Sequence, residues 1–496
     1  MPLDPFPEVT RSAVVDLGSN SVRLVVFEGR VRNPMTIFNE KAVLRLGRGL
    51  QSTGRLNEEA LGQTVMVMNR YYAIARAMRA DPFEVLATAA VRDAENGGAL
   101  IAALRERMPQ VPISVVSGEQ EAELSAAGVL CGIPDADGVL ADIGGGSMEV
   151  VRLASGQRGQ AQTTRLGVIR LAERAGGDAA RARVLVEADL ASVPWLAEGA
   201  GRSLYLVGGA WRALARIHIA QKLYPLNMVH HYTIDKEAAR ELANSVAVAP
   251  RRVLERMPGA PRRRIDDLPF AAAVLRRLLR VTNARRVVFS ANGLREGWYM
   301  RLVAEEVRRE PPLLAAAHEL ARRYGRQAAL PPGLIAWTAP LFPGESGEAF
   351  RLREAACWMS DIGSHDHPEY RAEQSFLRIL RQPGISLDHP ARAFLGLTLA
   401  LRYEAEPEAP YLVTAYQLLS AEAARRAVVL GCALRLAYTL SAGTPELLAA
   451  TRLLVNHMLT LRLAEGSGVF EGESVTRQLD TLAQATGLTA RTEMAT

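Results

Sequence analysis

The first half of the chain alternates short apolar runs with glycine-containing turns. Residues 12–29, SAVVDLGSNSVRLVVFEG, predict strand, turn and strand, because β-branched and apolar residues flank a cluster of turn formers. Residues 57–80 carry an apolar stripe at helical spacing behind an Asn57 cap and predict a helix. Residues 83–97 predict a strand that leads into a helix. This mixture indicates an α/β fold.

The pattern of strand, turn and strand restarts at residues 138–156, GVLADIGGGSMEVVRLASG. Three aligned pairs share their residue type: Asp16 with Asp142, Gly18 with Gly144, and Ser21 with Ser147. An internal repeat of 126 residues with an equivalent turn in each copy predicts two related α/β domains whose turns face one cleft. Residues 203–219 and 285–300 are further predicted to run from a strand into a helix, as in folds that bind ligands at strand ends.

The second half has a different pattern. After a predicted linker at 307–312, residues 313 to about 490 are rich in alanine, leucine and arginine at helical spacing, and we expect this part to be all helical. Its most apolar stretch, residues 427–440, is interrupted by Arg435 and is shorter than the roughly 20 residues that a membrane span needs. We therefore expect a buried helix there and no membrane span.

Composition narrows the class of protein. The chain has 496 residues, about half of them apolar, and a net charge of +6, which is typical of a globular protein with several domains. Excess arginine favours an anionic ligand, although each basic cluster could equally be a solvated surface. The start of the chain lacks the pattern of a secretory signal, so we expect a cytoplasmic protein. Single, scattered cysteines argue against a zinc site or a disulfide framework: Cys131, Cys357 and Cys432.

The two turns are candidate phosphate-binding loops. A P-loop or a Rossmann fingerprint would open a helix, whereas a strand follows each turn here. Backbone N–H groups of such a hairpin turn can form an anion-binding concavity, and the aspartate before each turn could bind Mg²⁺. For either turn alone an ordinary tight hairpin would be an equally simple interpretation. Two copies in register favour the phosphate-binding interpretation.

Five motifs occur in a fixed order: DLGSNSVRL, TAAVRDAENG, SGEQEAEL, DIGGGSMEV and GLREG. Together, over residues 12–300, they resemble the exopolyphosphatase and guanosine pentaphosphate phosphatase (Ppx/GppA) family of the acetate and sugar kinase, Hsp70 and actin superfamily. The resemblance implies an α/β fold with two duplicated actin-like (ribonuclease H-like) domains and an all-helical C-terminal region. We assign these domains to residues 1–130, 131–305 and 313–496, the last with room for a small terminal subdomain.

The resemblance also implies site residues. Arg92 would grip the phosphoryl group, and Glu121 would activate water, with Glu119 as the alternative base because the family's two adjacent acids read Gln120 and Glu121 here. The metal ligands, for Mg²⁺ or another divalent cation, would be Asp16, Asp142 and Glu149. The phosphate-binding residues besides Arg92 would be Gly18, Ser19, Asn20, Ser21, Gly144, Gly145, Gly146 and Ser147. Arg295 and Glu296 of GLREG are expected to be cleft scaffolding, and Gly208 and Gly209 either approach a nucleotide or pack a strand on a helix.

Residues 356–370, ACWMSDIGSHDHPEY, resemble a helix of HD-type phosphohydrolases. The His-Asp pair that would bind the metal reads Ser360 and Asp361, so His365 and His367 lack the pair that would anchor a metal. We interpret the region as a degenerate HD-type domain used for binding or dimerisation, and the resemblance implies a homodimer.

The implied activity is removal of the terminal phosphate from linear inorganic polyphosphate. Release of the 5′-phosphate from guanosine pentaphosphate (pppGpp) is the alternative, because the same loops would serve both substrates. A kinase of the same superfamily and a non-catalytic sensor of polyphosphate or an alarmone are further alternatives. We expect no nucleic-acid partner.

Overall fold

The apolar runs of the first half form two sheets in a computed structural model that describes residues 9–383, 386–466 and 472–495. The chain divides into two units, Met1–Arg309 and Glu310–Thr496. The first unit contains both sheets, which we call lobe I and lobe II together with the helices that cover them.

Lobe I is built on a five-stranded sheet. Its strands are β1 (Arg11–Leu17), β2 (Ser21–Glu28), β3 (Met35–Val43), β4 (Ala80–Ala87) and β5 (Ile113–Val115). Its helices are α1 (Leu50–Thr53), α2 (Glu58–Ala77), α3 (Ala89–Asp93) and α4 (Gly97–Arg107), and α5 (Gly118–Gly132) follows β5. The strand order is β3-β2-β1-β4-β5. The predicted helix at 57–80 is confirmed as α2, whose Asn57 cap accepts a hydrogen bond from the Ala60 N–H at 3.0 Å.

Lobe II repeats this arrangement and adds one strand. Its strands are β6 (Gly138–Ile143), β7 (Met148–Ala154), β8 (Gln157–Thr164), β9 (Ser203–Val207), β10 (Tyr232–Asp235) and β11 (Arg286–Phe289), in the order β10-β11-β9-β6-β7-β8. Its helices are α6 (Val168–Arg174), α7 (Ala179–Ala191), α8 (Gly209–Gln221), α9 (Lys236–Ala247), α10 (Arg251–Arg256) and α11 (Leu268–Thr282), followed by α12 (Leu294–Met300) and α13 (Glu305–Arg308). In both lobes a first strand pairs antiparallel with the second and parallel with the fourth.

Helices α5 and α12 pack against each other between the two sheets. The crossing is close, because a Cβ atom on Gly128 would clash with the carbonyl of Gly293, and one on Gly297 with the carbonyl of Leu124. Both glycines of the GLREG motif therefore lie where two helix backbones meet. Trp298 and Tyr299 fill the space beside the crossing and are fully buried against the lobe I sheet. The predicted boundary at residues 130 and 131 lies near the end of α5, and the division at that point stays a prediction.

The second unit is mainly helical. Its helices are α14 (Pro312–Tyr324), α15 (Leu330–Thr338), α16 (Gly347–Met359), α17 (Arg371–Arg381), α18 (His389–Arg402), α19 (Val413–Leu418), α20 (Ala421–Ser441), α21 (Pro445–Ala449) and α22 (Glu473–Thr486). Helix α20 contains the apolar stretch 427–440. Along the described part of the chain, no helix combines the length and the hydropathy that crossing a membrane requires.

The prediction that this region is all helical is wrong at its end. Strands β12 (Thr451–Val455), β13 (Leu459–Ala464) and β14 (Ala490–Ala495) form a three-stranded sheet. The helix-forming leucines and arginines of this segment alternate with period two, and Leu453 pairs with Leu461 on the buried face. The alternation decides the structure here because the sheet buries these leucines, whatever their intrinsic helix propensity.

Candidate active site

The two glycine-containing turns lie at the ends of β1 and β6 and have the same backbone hydrogen bond. The Gly18 N–H donates to the Ser21 carbonyl at 3.1 Å, and the Gly144 N–H donates to the Ser147 carbonyl at 2.9 Å. We call residues 18–21 the first cradle and residues 144–147 the second cradle. Both cradles line one cleft between lobes I and II, as predicted from the repeat.

The cradles are in direct contact, and glycine is needed where they meet. A Cβ atom on Gly145 would lie 2.9 Å from Ser19 Cβ, and one on Gly146 would lie 2.9 Å from Ser19 Oγ. These distances are shorter than the van der Waals contacts of carbon and oxygen atoms. The first cradle can therefore approach the second only because Gly145 and Gly146 have no side chains. The two turns thus border a single space rather than two separate sites.

The residues opposite the two aspartates differ in charge. Asp16 of β1 pairs across the sheet with Arg23 of β2, whereas Asp142 of β6 pairs with Glu149 of β7. Arg23 and Glu149 are also separated by 126 residues, so they are the same position of the repeat. The equivalent hairpins therefore present a carboxylate with a guanidinium in lobe I and two carboxylates in lobe II.

Lobe II and α5 together form an acidic end of the cleft. Glu121 and Glu149 are only 7% and 3% exposed. Burial raises the pKa of Asp142, and the hydroxyl of Ser125, which donates to its Oδ2, opposes the shift. Burial and then the neighbouring carboxylates of Glu121 and Asp142 raise the pKa of Glu149 well above its ordinary value. These acids are held close together at a cost in electrostatic energy.

Arg92 bridges this acidic end to lobe I. Its guanidinium donates to Glu121 Oε1 at 2.6 Å, to the Val116 carbonyl at 2.9 Å and to Asp93 Oδ1 at 3.2 Å. Burial raises the pKa of Glu121 to about 7, although Arg92 opposes the rise. Arg92 is not a solvent-facing side chain, since it is 24% exposed and makes three hydrogen bonds.

Glu119, the alternative base, points elsewhere. Its side chain is 81% exposed and lies 3.6 Å from Arg158 on the surface. The buried position of Glu121 beside Arg92 distinguishes the two candidates, which the sequence could not separate.

The opposite end of the cleft is basic, and most of it was missed by sequence reasoning. Five cations line this end: Arg23, Lys41, Arg212, Arg264 and Arg295. Burial, followed by repulsion from neighbouring arginines, lowers the pKa of Lys41 to about 8 and that of Arg212 to about 10. Asp16 lies at this end, with its Oδ2 atom 4.0 Å from Arg295 Nη1. Converging cations in a cleft are typical of a site for a polyanion.

One of these cations carried a signal in the sequence. Arg23 lies two residues after Ser21 on the same strand, and side chains two apart share a face. Arg212 follows the fourth strand of lobe II, as Arg92 follows the fourth strand of lobe I, but the two arginines are 120 residues apart and the 126-residue repeat did not point to Arg212. Arg264 follows a loop of lobe II and had no such signal.

GLREG and the Gly208–Gly209 pair have structural explanations. Glu296 accepts a hydrogen bond from the Gly293 N–H at 2.8 Å at the start of α12, and Arg295 extends toward Asp16. Gly208 has φ of 123° and packs against the carbonyl of Ile143, and Gly209 contacts the guanidinium of Arg264. These contacts need no nucleotide to explain the two glycines.

The three predicted metal ligands suit a divalent cation only with help from other oxygens. Among the described residues, no three histidine, cysteine, aspartate or glutamate side chains lie close enough to hold a metal by themselves. Asp16, Asp142 and Glu149 have raised pKa values through burial, and Glu149 Oε1 is buried without a hydrogen-bond partner among the described residues. Mg²⁺ is bound by a few carboxylates plus water and phosphate oxygens, so this donor set fits.

The HD-like segment of the second unit holds no comparable acidic group. The Ser360 hydroxyl hydrogen-bonds to Tyr438 Oη at 2.9 Å. Asp361 accepts two hydrogen bonds from the Arg326 guanidinium at 2.9 Å and lies 3.6 Å from Arg402. Arginines thus neutralise the aspartate, and the HD-type assignment itself is not confirmed.

Comparison with known proteins agrees with this architecture. A duplicated α/β fold with two hairpin cradles on one cleft is an actin-like fold. Residues 25–306 match the Ppx/GppA phosphatase family, and residues 313–492 match the family described as exopolyphosphatase, C-terminal. The chain belongs to the Ppx/GppA phosphatase family.

The individual relatives that match the chain have low sequence identity to it. Exopolyphosphatase 2 of two Mycobacterium tuberculosis strains is 32% identical over 176 residues, which is 34% of this chain and 55% of the relatives. The chain thus spans about half the length of the curated relatives it matches. An Aquifex aeolicus family member (21% identity, TM-score 0.52) and a Cytophaga hutchinsonii exopolyphosphatase (23%, 0.54) each cover 60% of this chain, and 99% of each of them is covered. At this identity the likeness shows a shared fold.

Proposed function

We propose that the protein is an exopolyphosphatase that releases the terminal orthophosphate of linear inorganic polyphosphate. The observation that carries the proposal is a single cleft lined both by three acids, Glu121, Asp142 and Glu149, and by five cations, with Arg92 bonded to Glu121. A chain of phosphates has the charge to occupy the basic end while its last group reaches the acidic end. The family membership and the curated exopolyphosphatase relatives support this choice.

Glu121 would orient and deprotonate the attacking water. Its pKa of about 7 lies near neutrality, where a general base is most effective, and its carboxylate is held in place by Arg92. Arg92 would donate its remaining hydrogen-bonding capacity to the transferring phosphoryl group and offset charge that builds up there. The backbone N–H groups of the two cradles would hold the equatorial oxygens.

Asp16, Asp142 and Glu149 would hold Mg²⁺ or another divalent cation. When bound, such a cation supplies charge neutralisation for the phosphate oxygens. Ser125 keeps Asp142 turned into the cleft through its hydroxyl.

The basic end would bind the remainder of the chain. Arg23, Arg212 and Arg295 can each donate several hydrogen bonds, and guanidinium groups match phosphate oxygens in geometry. The repulsion among these cations would be relieved by the substrate, which favours binding of several consecutive phosphates.

For the second unit we propose a binding or dimerisation role on a degenerate HD-type domain. The arginines on Asp361 would take the place that a metal takes in an active HD domain, and His365 and His367 are exposed rather than buried in a ligand cluster. Light scattering of the purified chain tests the homodimer. A monomeric mass would contradict dimerisation, and binding would then be the only proposed role.

The test of the main proposal is phosphate release from long-chain polyphosphate, with and without Mg²⁺, beside release from pppGpp. We expect Mg²⁺-dependent release from polyphosphate at the higher rate. A higher rate on pppGpp would indicate a pppGpp 5′-phosphohydrolase. Phosphate transfer to an acceptor would indicate a kinase. If no phosphoanhydride is hydrolysed, a non-catalytic sensor is the remaining alternative.

A further inference from the structure

A network of ion pairs continues from the catalytic pair across the cleft into lobe II. Asp93 uses its Oδ1 atom to accept from Arg92 at 3.2 Å and its Oδ2 atom to accept from Arg170. Arg92 in turn donates to Glu121. The order of contacts is Arg170, Asp93, Arg92, Glu121, which we call the Arg170 network.

The lobe II end of the network is fixed to the second cradle. The backbone N–H groups of Ile169 and Arg170 both donate to the Gly145 carbonyl, at 3.0 and 3.1 Å, and Val168 donates to the Gly144 carbonyl at 3.0 Å. Helix α6 therefore starts on the cradle itself. Any displacement of the second cradle moves the backbone of Arg170.

The charge balance around Arg92 depends on both Asp93 and Arg170. Arg170 is 8% exposed, whereas the side chain of Asp93 is 31% exposed, so the pair lies at the edge of the buried region. With Arg170 present, Asp93 shares its charge between two guanidinium groups. Without Arg170, the undivided carboxylate of Asp93 would compete with Glu121 for Arg92; without Asp93, the Nε atom of Arg92 would lose its acceptor.

We propose that Asp93 and Arg170 are positioning residues that tie the second cradle to Arg92 and so set the orientation of Glu121. Neither residue lines the cleft that contains Glu121, although Arg170 borders a smaller pocket with residues of both cradles. The effect of both residues on Glu121 passes through Arg92. The proposal rests on the proposed function of the cleft. It assigns to lobe II a part in arranging a catalytic pair that belongs to lobe I and α5.

A second contact on α6 provides a matched control. Glu173 accepts hydrogen bonds from the backbone N–H groups of Gly49 at 2.6 Å and Gln51 at 3.2 Å in lobe I. This contact also joins the lobes through α6, but it consists of hydrogen bonds to Gly49 and Gln51 and does not involve Arg92. Substitution of Glu173 therefore weakens the contact between the lobes without touching the Arg170 network.

The experiment measures kcat and KM for phosphate release by D93N, R170Q, the double variant, R170K and E173Q. We expect D93N and R170Q each to lower kcat about tenfold with KM changed less than twofold, a tenfold loss being about 1.4 kcal/mol in the barrier. The double variant should lose no more than either single variant, and R170K should recover most of the rate. E173Q should keep kcat within twofold.

Several outcomes would overturn the proposal. These are losses that multiply in the double variant, a loss that falls on KM, or an equal loss of kcat in E173Q, which would indicate closure of the lobes in general. If the wild-type chain releases no phosphate from either substrate, the proposed function fails, and thermal unfolding then tests the network alone. Shifts in Tm that are non-additive between D93N and R170Q support it, and additive shifts contradict it.

Discussion

The two lobes share a strand order and a cradle but differ at the position opposite the cradle's aspartate. Lobe I has Arg23 there and lobe II has Glu149, so one hairpin is neutral in sum and the other carries two acids. The arginines after the fourth strands also differ: Arg92 donates a hydrogen bond to Glu121, whereas Arg212 lies near Arg295 and Arg23 as well as near Asp142. Each lobe thus contributes one cradle to a single cleft. The different residues at the matched position, Arg23 and Glu149, make one side of the cleft more basic and the other more acidic.

The largest expected effect is at the acidic end. Replacing Glu121 by Gln keeps the side-chain shape but removes the base, and we expect phosphate release to fall roughly 10³-fold while polyphosphate binding persists. A single-turnover assay and a binding assay on the same protein measure the two effects. The control is E119Q, at the exposed neighbour, which should retain at least half the rate. Unchanged release by E121Q would remove Glu121 from its role.

Arg92 and Arg212, which follow the fourth strands of the two lobes, allow a direct test of the comparison. We expect R92Q to lower kcat about 100-fold, since it removes a donor to the transferring group, which is the scale of losing one preorganised donor. R212Q should instead raise KM about tenfold, roughly 1.4 kcal/mol of binding, and leave kcat within twofold. Steady-state kinetics on long-chain polyphosphate measure kcat and KM for both variants. Identical kinetic effects of the two substitutions would contradict a division of the cleft into two ends.

The helix crossing that joins the lobes gives a stability prediction. G297A places a methyl group against the carbonyl of Leu124 and should cost about 1–3 kcal/mol of unfolding free energy, because an overpacked contact forces the backbones apart. G62A lies on an exposed turn of α2 with nothing within 4 Å and should be slightly stabilising. Urea unfolding compares the two. An equal effect of both would mean that the crossing tolerates a side chain.

The smallest expected effect concerns the acids of lobe II and pH. Folding raises the pKa values of Asp142 and Glu149 above their ordinary 3.8 and 4.5, so these groups bind protons more tightly in the folded state. Without divalent cations, stability should therefore fall as the pH rises from about 5 toward 8. Saturating Mg²⁺ at pH 8 should raise Tm by about 5 °C.

The control for this prediction is D142N, which removes one acid. Thermal unfolding of D142N should show a smaller dependence on pH and little response to Mg²⁺. A full Mg²⁺ response in D142N would place the cation away from Asp142.

Much of the first unit could be predicted because its signals are local. The apolar runs, the turn residues and the 126-residue repeat specify strands and cradles, and both cradles line one cleft in the structure. The three-stranded sheet of the second unit was missed, since leucine, alanine and arginine favour helices and only the burial of alternate leucines decides for strands.

The site was predictable where a motif or the repeat pointed to it, and not where distant segments converge. Glu121 and Arg92 lie together as their motifs implied. Lys41 and Arg264 come from a strand of lobe I and a loop of lobe II, and no spacing in the sequence relates them. The roles of the site residues stay predictions until the variants are measured.

The basic end has a consequence for the uptake of protons. Partial desolvation in the cleft, followed by repulsion from neighbouring arginines, lowers the pKa of Lys41 to about 8, close to neutral pH. A polyanion would reverse that repulsion and raise the pKa, and each binding event would then draw a fraction of a proton from the buffer. Titration calorimetry in buffers of different ionisation enthalpy would show this as an apparent binding heat that depends on the buffer, and K41M would abolish the dependence.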